Sequence, residues 1–283
     1  MIFITGDTHG MESCGRYSVD GVSKRLNVKN FPEQKEMDRN DYVIICGDSG
    51  FVWDYDSRYN NEEGVIRKVI GLEHGESKQE KYWLDWLSKK PFTVLFCDGN
   101  HENYDRLDRA YPEVDYLGGR AHKIRDNVYH LMRGYVFDID GKSFFVFGGA
   151  KSHDIDDGIV YPTEYKSKEE LKQEIRNLRK RKALFRVNHV SWWEREMPDE
   201  EEMNRGVKNL EKRGNNVDFI ITHCAPLQAA ALMGYTDRDK CTVYLNTVAE
   251  TVRFKRWFFG HYHTNRQILG KFICTYEQII RIN

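Results

Sequence analysis

Five short apolar segments with strand propensity each end in residue types that bind metal ions. Because open α/β sheets build their sites at the carboxyl ends of their strands, we expect the residues that follow these segments to converge. Each of them alone has an ordinary explanation as a turn or core residue, so it is the coincidence of five strand ends that indicates a site. The segments and the residues that follow them are Ile2–Gly6 before Asp7 and His9, Tyr42–Gly47 before Asp48, Thr93–Gly99 before Asn100 and His101, Phe219–Thr222 before His223, and Phe258–Gly260 before His261 and His263.

The remaining histidines lack this position at a strand end, so we leave them out of the predicted site. They are His74, His122, His130, His153 and His189.

Composition restricts the class of protein. The chain has 283 residues, of which 40% are hydrophobic, so it can bury a sizeable core. Its formal net charge is −1, and it therefore has no overall basic field that would attract nucleic acid or an anionic membrane. No apolar run approaches membrane-spanning length, and the sequence enters a strand without a signal-peptide pattern. We expect a soluble cytoplasmic protein that does not bind a membrane.

The cysteines are scattered and form no C-x-x-C pair, which in a chain of this size predicts reduced, mostly buried thiols. Cys224 follows His223 directly, and we expect it to support the site rather than to bind a metal. The six residues are Cys14, Cys46, Cys97, Cys224, Cys241 and Cys274.

Strand patterns predict more than one sheet. Tyr42–Cys46 is a continuous apolar run, typical of a strand covered on both faces. Residues 136–139 and 143–147 flank Asp140-Gly141, a strong signal for a two-residue hairpin. Antiparallel pairing therefore joins a parallel pattern, which favours two mixed sheets over a single doubly wound sheet.

Helical patterns lie between the strands. Ser77-x-x-Glu80 predicts a capped helix that packs its Trp83, Trp86 and Leu87 against a sheet. Residues 151–215 change character, and we interpret them as a helical insertion in a single domain that spans residues 1–283.

The predicted insertion carries two amphipathic helices, with apolar faces at Leu171, Ile175 and Leu178 and at Met203, Val207 and Leu210. Trp192 and Trp193 lie between them and serve either as packing residues or as a platform for substrate.

The pooled strand-end residues comprise two carboxylates, one amide and four imidazoles. This set is too large for one tetrahedral zinc and lacks the sulfur of a structural site. It suits two adjacent divalent ions of intermediate hardness, such as Mn, Fe, Co, Ni or Zn. Two ions about 3.5–4 Å apart can clamp both oxygens of an in-line displacement, so a phosphate ester is the expected substrate. The candidate ligands are Asp7, His9, Asp48, Asn100, His223, His261 and His263.

Five blocks in this order resemble the calcineurin-like metallophosphoesterase family. The resemblance implies two mixed β-sheets packed as a sandwich and flanked by helices, an α/β architecture with a dinuclear site at one end. The blocks are Gly6-Asp7-Thr8-His9-Gly10, Gly47-Asp48, Gly99-Asn100-His101-Glu102, Thr222-His223-x-x-Pro226 and Gly260-His261-Tyr262-His263.

The resemblance also implies a role for each residue. His101 corresponds to the family's histidine that binds the phosphoryl oxygen and protonates the leaving alkoxide. A metal-bridging hydroxide would attack phosphorus in a mono- or diester. One metal would be held by Asp7, His9 and His263 and the other by Asn100, His223 and His261, with Asp48 as the bridge.

One block departs from the family pattern. Many members read Gly-Asp-x-x-Asp and use that second acid, or an arginine beside it, in the site as an orienting residue or a phosphate clamp. Here Ser49-Gly50-Phe51-Val52 follows Asp48. Asp54, Arg106 or Arg186 are candidates to replace the missing phosphate clamp, and Arg106, Trp192 and Trp193 are our candidate substrate contacts. The departure argues against a dedicated phosphoprotein phosphatase, and the chain resembles the small bacterial and phage members of the family.

Three functions stay open. The favoured one is a phosphoesterase acting on a small molecule or nucleotide. A non-catalytic metal-binding scaffold is the second, although a scaffold has no need for His101. The third is a nuclease that contacts phosphates through the basic residues 166–186, a segment better explained as a solvated helix face because Glu169, Glu170 and Glu174 are interleaved with them.

Overall fold

Two mixed β-sheets form the centre of the molecule, as the sequence predicts. The computed structural model describes residues 1–10, 21–53 and 76–282. With strands numbered in chain order, the first sheet runs in space as β15 (Ile279–Ile282), β1 (Ile2–Thr5), β2 (Tyr42–Ile45), β3 (Thr93–Phe96), β6 (Val128–Leu131), β5 (Gly119–Arg125) and β4 (Glu113–Tyr116).

Parallel pairing in this sheet aligns the strand ends that matter for the site. Strands β1, β2, β3 and β6 are mutually parallel. Strand β15 pairs antiparallel with β1, β5 pairs antiparallel with β6, and β4 pairs antiparallel with β5. Thr5 lies opposite Ile45, and Ile45 lies opposite Phe96. The three loops that follow β1, β2 and β3 therefore leave the sheet side by side.

The second sheet repeats this arrangement. Strands β8, β11, β12 and β14 are parallel, and β7 and β13 pair antiparallel at the edges. The predicted hairpin is confirmed, because β7 and β8 pair across Asp140-Gly141. In space the order is β13 (Arg266–Ile268), β14 (Phe272–Cys274), β12 (Arg256–Phe259), β11 (Phe219–Thr222), β8 (Lys142–Phe147) and β7 (Tyr135–Ile139).

Alternating side chains build a layered core around the two sheets. Ile2 and Ile4 of β1 point between the sheets, into the same cluster as Phe144 and Phe258 of the second sheet. Phe3 points to the opposite face, where it joins the cluster beneath the helices Val22–Arg25 and Lys78–Ser88. Burying each such side chain stabilises the fold by roughly 1.5–3 kcal/mol, so a shift of register by one residue would expose a whole face.

Helices cover the outer faces of the sheets. Five of them begin at side-chain caps. Ser77, Asn103 and Ser167 each accept from a backbone amide three residues on, and Asp199 and Asp239 each form a capping box. The described residues contain seven α-helices: α1 (Val22–Arg25), α2 (Lys78–Ser88), α3 (Tyr104–Leu107), α4 (Lys168–Lys180), α5 (Glu200–Lys212), α6 (Leu227–Leu232) and α7 (Lys240–Thr251). Short 3-10 helices cover Pro32–Glu36, Pro162–Glu164 and Glu194–Glu196.

The predicted face of α2 was partly wrong. Leu84 and Leu87 are the buried apolar residues, whereas Trp83 and Trp86 are only half-buried. The two tryptophan rings pack edge to face at 5.7 Å, and the Lys90 ammonium lies 3.7 Å from the Trp86 ring centroid. Trp86 still packs against the core cluster that contains the two leucines, whereas Trp83 is not part of that cluster.

The predicted face of α5 was also partly wrong. Leu210 is buried, but Val207 is 41% exposed and Met203 is only partly buried. Gly206 lies directly against the Tyr244 hydroxyl, and any Cβ at that position would overlap it. This close approach turns the neighbouring Val207 outward.

The segment predicted as an insertion contains a small unit of its own. β9 (Ile159–Val160) and β10 (Arg186–Val187) pair in parallel, so the segment is not purely helical. Val160 and Val187 pack against α4 through a separate cluster that contains the predicted Leu171, Ile175 and Leu178. Helix α5, in contrast, packs on the second sheet, and the division into one domain with an insertion stays a prediction.

The described cysteines, Cys46, Cys97, Cys224, Cys241 and Cys274, are buried and free of disulfides, whereas Cys14 lies outside the described residues. In the part of the chain that the structure describes, no helix is both long and apolar enough to cross a membrane.

Candidate metal centre

All seven predicted ligands meet at one end of the two sheets. Loops after β1, β2 and β3 of the first sheet supply four of them, and loops after β11 and β12 of the second sheet supply three. A chain of contacts of 4.0 Å or less between side chains or backbone amides links them. The first sheet supplies Asp7, His9, Asp48 and Asn100, and the second supplies His223, His261 and His263.

Asp7, His9 and His263 form one group that could hold a cation. His263 Nε2 lies 3.2 Å from Asp7 Oδ2, and His9 Nε2 lies 4.0 Å from the same oxygen. The two imidazole Nε2 atoms are 3.1 Å apart. Three donor atoms thus point at a common volume.

Asp7, Asp48 and His223 form a second group. His223 Nε2 lies 3.3 Å from Asp48 Oδ2 and 3.2 Å from Asn100 Oδ1. The His223 Nδ1 lies 2.9 Å from the Cys46 carbonyl oxygen, which can only accept, so Nδ1 carries a proton and Nε2 is the atom directed at the ligands. Asp7 belongs to both groups, whereas the bridging role that the resemblance gives to Asp48 stays a prediction.

His261 completes the cluster from the second sheet. Its ring centroid lies 4.9 Å from that of His223, and its backbone amide donates to both Asp7 oxygens at 3.0 Å. Burial, followed by the positive charge of His223, lowers the pKa of His261 to about 3, so its imidazole is neutral and has the lone pair that a ligand requires.

Both carboxylates are buried: Asp7 is fully inaccessible and Asp48 is 2% exposed. Burial acts to raise their pKa values, but the neighbouring histidines outweigh it and hold both pKa values below the usual range. For His223, burial acts to lower the pKa, yet Asp48 and then Asp7 raise it to about 10. The two buried anions therefore require positive charge between them.

The residues present fit divalent cations. Two buried carboxylates share one site, and ligand-type oxygen and nitrogen atoms lie 3.1–3.3 Å apart in it. A mixed set of carboxylate, amide and imidazole donors suits ions such as Mn, Fe, Co, Ni or Zn. Cations bound at the two groups would neutralise the carboxylates and satisfy the lone pairs.

Four of the ligands have a strained backbone. Non-glycine residues rarely adopt positive φ, and each such residue costs roughly 1–3 kcal/mol. His9 (φ 41°), Asp48 (43°), His261 (68°) and His263 (46°) all lie in the left-handed region. This conformation turns each side chain sharply out of its strand and into the space between the sheets.

Two glycines make room for the carboxylates. A Cβ at Gly99 would overlap Asp48 Oδ1, and a Cβ at Gly260 would overlap Asp7 Oδ1. Because these two positions are glycine, Asp48 can approach the backbone at Gly99 and Asp7 can approach the backbone at Gly260.

His101 lies beside both groups. Its amide donates to Asp48 Oδ1 at 2.8 Å, and its ring centroid is 5.2 Å from that of His9. The Trp53 ring tilts against it at 5.9 Å. Its Nε2 lies 3.5 Å from Arg186 Nη2. The predicted catalytic residue is therefore placed at the edge of the cluster, next to a basic side chain.

The departure after Asp48 has a structural explanation. Phe51, at the position of the family's second acid, is 1% exposed and packs edge to face on Phe96 at 5.8 Å. Glu102 binds this loop instead, since its Oε1 accepts from both the amide and the hydroxyl of Ser49 at 2.8 Å. Asp54, a candidate replacement, lies outside the described residues.

Arg106 does not fit the predicted substrate contact. Its side chain is 1% exposed, and its guanidinium donates to Glu80 Oε2 at 2.6 Å and to the Tyr111 hydroxyl at 2.8 Å. A buried arginine needs such partners because an unpaired charge is costly in the interior. We therefore correct this assignment to a structural ion pair.

Trp193 is also a packing residue rather than a platform. It is 2% exposed, donates from Nε1 to Asp105 at 2.8 Å and packs edge to face on Trp53. Trp192 is half-buried beside Tyr161. Both tryptophans line a cavity of about 310 Å³ whose lining includes neither His101 nor any of the seven predicted ligands, so the structure does not place either tryptophan at the metal centre.

Sequence reasoning missed residues on the second-sheet side of the centre. The His153 ring lies 5.1 Å from that of His261, although His153 follows no predicted strand of the site. The Asn100 amide nitrogen lies 3.5 Å from Ser152 Oγ, and Glu196 accepts from the Ser152 amide and hydroxyl at 2.8 and 2.7 Å. These contacts join residues far apart in the chain, and no local sequence signal identifies them.

Two other histidines that we left out support the loop before Asn100. His122 Nδ1 lies 3.0 Å from His130 Nδ1, and His130 Nε2 lies 3.1 Å from Asp98 Oδ1. Asp98 also pairs with the buried Arg133. These contacts fix the position of Asp98, at the start of the loop that carries Asn100.

Comparisons with known proteins agree with this geometry. The model of the family described as calcineurin-like phosphoesterase matches residues 1–265. Comparison with curated proteins gives no significant match. Since the family match covers most of the chain and includes every predicted ligand, the chain belongs to the calcineurin-like phosphoesterase family.

Proposed function

We propose that this protein is a phosphoesterase that uses two divalent metal ions and acts on a small phosphate mono- or diester. Membership of the family supports a metal-dependent phosphoesterase. The observation that carries the finer proposal is the pair of groups that share Asp7, with His101 beside them.

The ligands would hold the ions and supply little chemistry themselves. Asp7, His9 and His263 would hold one ion, and His223, with Asp48, Asn100 and His261, the other. Cations bound there would polarise the phosphoryl oxygens and lower the pKa of the attacking water. The identity of the ions within the group Mn, Fe, Zn, Co and Ni is open.

His101 has a role that the ligands cannot fill. An alkoxide is a poor leaving group unless it is protonated or held by a cation. His101 is fixed by its amide bond to Asp48 and by the Trp53 ring, so its imidazole reaches the edge of the cluster in a defined orientation. We assign it the proton donation to the leaving oxygen.

The substrate's organic group has a place beside the centre. A cavity of about 580 Å³ lies against His261 and His263 and is large enough for a small molecule or a nucleotide. Tyr235 and Tyr262, with ring centroids 4.5 Å apart, form part of its wall. Asp156, Asp237 and Asp239 also line it, against a single Lys151, which disfavours a polyanion such as nucleic acid.

Two model substrates test the reaction class. Metal-free protein reconstituted with Mn²⁺ should hydrolyse p-nitrophenyl phosphate, bis-p-nitrophenyl phosphate or both. The ratio of the two rates distinguishes a site for a dianionic monoester from one for a monoanionic diester. Failure to hydrolyse either, with two ions bound per chain, would contradict the proposal.

A non-catalytic scaffold is the competing function, and wild-type turnover of either model substrate would exclude it. His101→Ala then tests the role of the acid. The variant should keep its metal content and lose about 10²- to 10⁴-fold in kcat, the usual contribution of a general acid. Unchanged turnover with metal bound would show that His101 does not act as the acid.

A further inference from the structure

Arg186 is the basic side chain that the predicted insertion brings to His101. It lies on β10, and its side chain is 14% exposed. Its Nε donates to both oxygens of Asp154, at 3.0 and 2.9 Å, and Nη2 donates to Asp154 Oδ2 as well. This fork holds the guanidinium plane in one orientation.

The backbone around Arg186 is fixed by the small unit of the insertion. The next residue, Val187, is buried with Val160 against α4. The Asn188 amide donates to the Val160 carbonyl at 3.0 Å, which continues the pairing of β9 with β10. The guanidinium is therefore delivered by a packed element rather than by an isolated loop.

The contact with His101 shows which way the guanidinium faces. An arginine N–H can only donate, so the 3.5 Å contact between Nη2 and His101 Nε2, at the long limit of a hydrogen bond, exists only in the neutral form of His101 that has its lone pair on Nε2. The protonated form, which donates the proton to the leaving oxygen, makes no such bond to Arg186. A contact of this length is weak. An anionic oxygen that entered between the two groups would accept a shorter, charge-assisted bond from Arg186.

We propose that Arg186, oriented by Asp154, binds a non-bridging phosphoryl oxygen of the substrate, so that the insertion supplies part of the active site. This inference rests on the proposed phosphoesterase function. It is supported by the departure after Asp48, because the block that supplies an acid, or an arginine beside it, to the site in many relatives ends here in the buried Phe51 and contains no arginine. A planar guanidinium suits a phosphate better than a lysine ammonium does.

The test compares Arg186→Gln, Arg186→Lys and Asp154→Asn with a control, Arg176→Gln, which changes an exposed arginine on α4 of the same unit. Two readouts are needed on Mn²⁺-loaded protein. One is the equilibrium affinity for orthophosphate, measured by calorimetry, and the other is KM and kcat for p-nitrophenyl phosphate. Metal content and melting temperature establish that each variant is folded and loaded.

Arg186→Gln should weaken orthophosphate binding about 10- to 100-fold, as expected for the loss of a charged hydrogen bond. Arg186→Lys should recover part of this affinity, Asp154→Asn should lose less than Arg186→Gln, and the control should match the wild type. Orthophosphate affinity that is unchanged in Arg186→Gln would overturn the inference.

The two proposals fail in different ways. If the wild type binds orthophosphate but hydrolyses neither model substrate, the phosphoesterase proposal fails, and the affinities still decide the role of Arg186. If the wild type turns over substrate and Arg186→Gln shows the same KM, kcat and orthophosphate affinity, only the role of Arg186 is wrong.

Discussion

The backbone amide of His101 donates a 2.8 Å hydrogen bond to Oδ1 of Asp48. The neighbours of these two residues are also bonded: the carboxylate of Glu102, next to His101, accepts from the amide and hydroxyl of Ser49, next to Asp48. The loop that carries the proposed acid and the loop that carries a proposed metal ligand are thus held together from both sides. We expect a disturbance of one loop to be transmitted to the other.

Gly99→Ala should disrupt the metal centre. The new Cβ would overlap Asp48 Oδ1, so either the carboxylate or the loop must move. We expect Mn²⁺ affinity to fall at least about tenfold, comparable with the loss of a residue that orients a ligand, and p-nitrophenyl phosphate hydrolysis to fall with it. Calorimetric titration with Mn²⁺ measures the affinity.

Gly158→Ala is the control for a general loss of stability after a glycine is replaced by alanine. Gly158 has φ 98°, and a Cβ there meets no atom within 4 Å. This variant should lose about 1 kcal/mol or more of stability from the strained backbone while keeping its metal affinity. Equal losses of metal affinity in both variants would show that general destabilisation, and not the overlap with Asp48, is responsible.

His9→Ala and His223→Ala should each remove one bound ion. His9 belongs to one group of ligands and His223 to the other, whereas Asp7 belongs to both. We therefore expect the metal content to fall from two ions per chain to one in each variant, and Asp7→Asn to weaken both sites. Metal analysis after gel filtration measures the content, and two tightly bound ions in either histidine variant would refute this assignment.

Glu196→Gln should alter the pH dependence of stability. Burial raises the pKa of Glu196 from the ordinary 4.5 to about 7. The folded state therefore holds the proton more tightly than the unfolded chain, and the wild type loses stability as pH rises from about 4.5 to 7. The glutamine cannot ionise, so it avoids this loss, which is about 3 kcal/mol.

The measurement is the free energy of unfolding of chelator-treated wild type and variant between pH 4.5 and 8. The difference between them should shift in favour of the variant as pH rises and level off above pH 7. A difference that does not depend on pH would show that Glu196 is not the group responsible.

Nucleic acid should bind weakly, if at all, through helix α4. Its exposed face mixes basic residues with Glu169, Glu170 and Glu174, so few phosphates could be neutralised. Replacing Lys172 and Arg176 together by Glu should leave p-nitrophenyl phosphate hydrolysis unchanged. Tight binding of single- or double-stranded DNA that falls steeply with salt, and is lost in this variant, would favour the nuclease alternative.

The strands that carry the ligands and the convergence of those ligands could be predicted because they follow from local rules. Apolar runs that end in Gly and a polar residue identify β1, β2, β3, β11 and β12, and parallel pairing brings their ends together. The two-residue turn at Asp140-Gly141 likewise determined the hairpin of β7 and β8. The fold class and the meeting of the seven ligands follow from such signals.

Contacts between distant segments could not be predicted in this way. The exposure of Val207 depends on the approach of Gly206 to Tyr244, and the burial of Arg106 depends on its pairing with Glu80. Neither partner is close in sequence to the residue that it affects. The positive φ angles of the ligands were not predicted either, because the modest preference of His and Asp for that region does not identify which of these residues adopt it.

The most direct test of the account is a titration of metal-free protein with Mn²⁺. The number of bound ions is measured on each sample, and the same samples are assayed for hydrolysis of p-nitrophenyl phosphate and bis-p-nitrophenyl phosphate. We predict that binding saturates at two ions per chain and that hydrolysis of at least one substrate appears as the second ion binds. Saturation at two ions without hydrolysis of either substrate, or full hydrolysis with one ion, would contradict the dinuclear phosphoesterase.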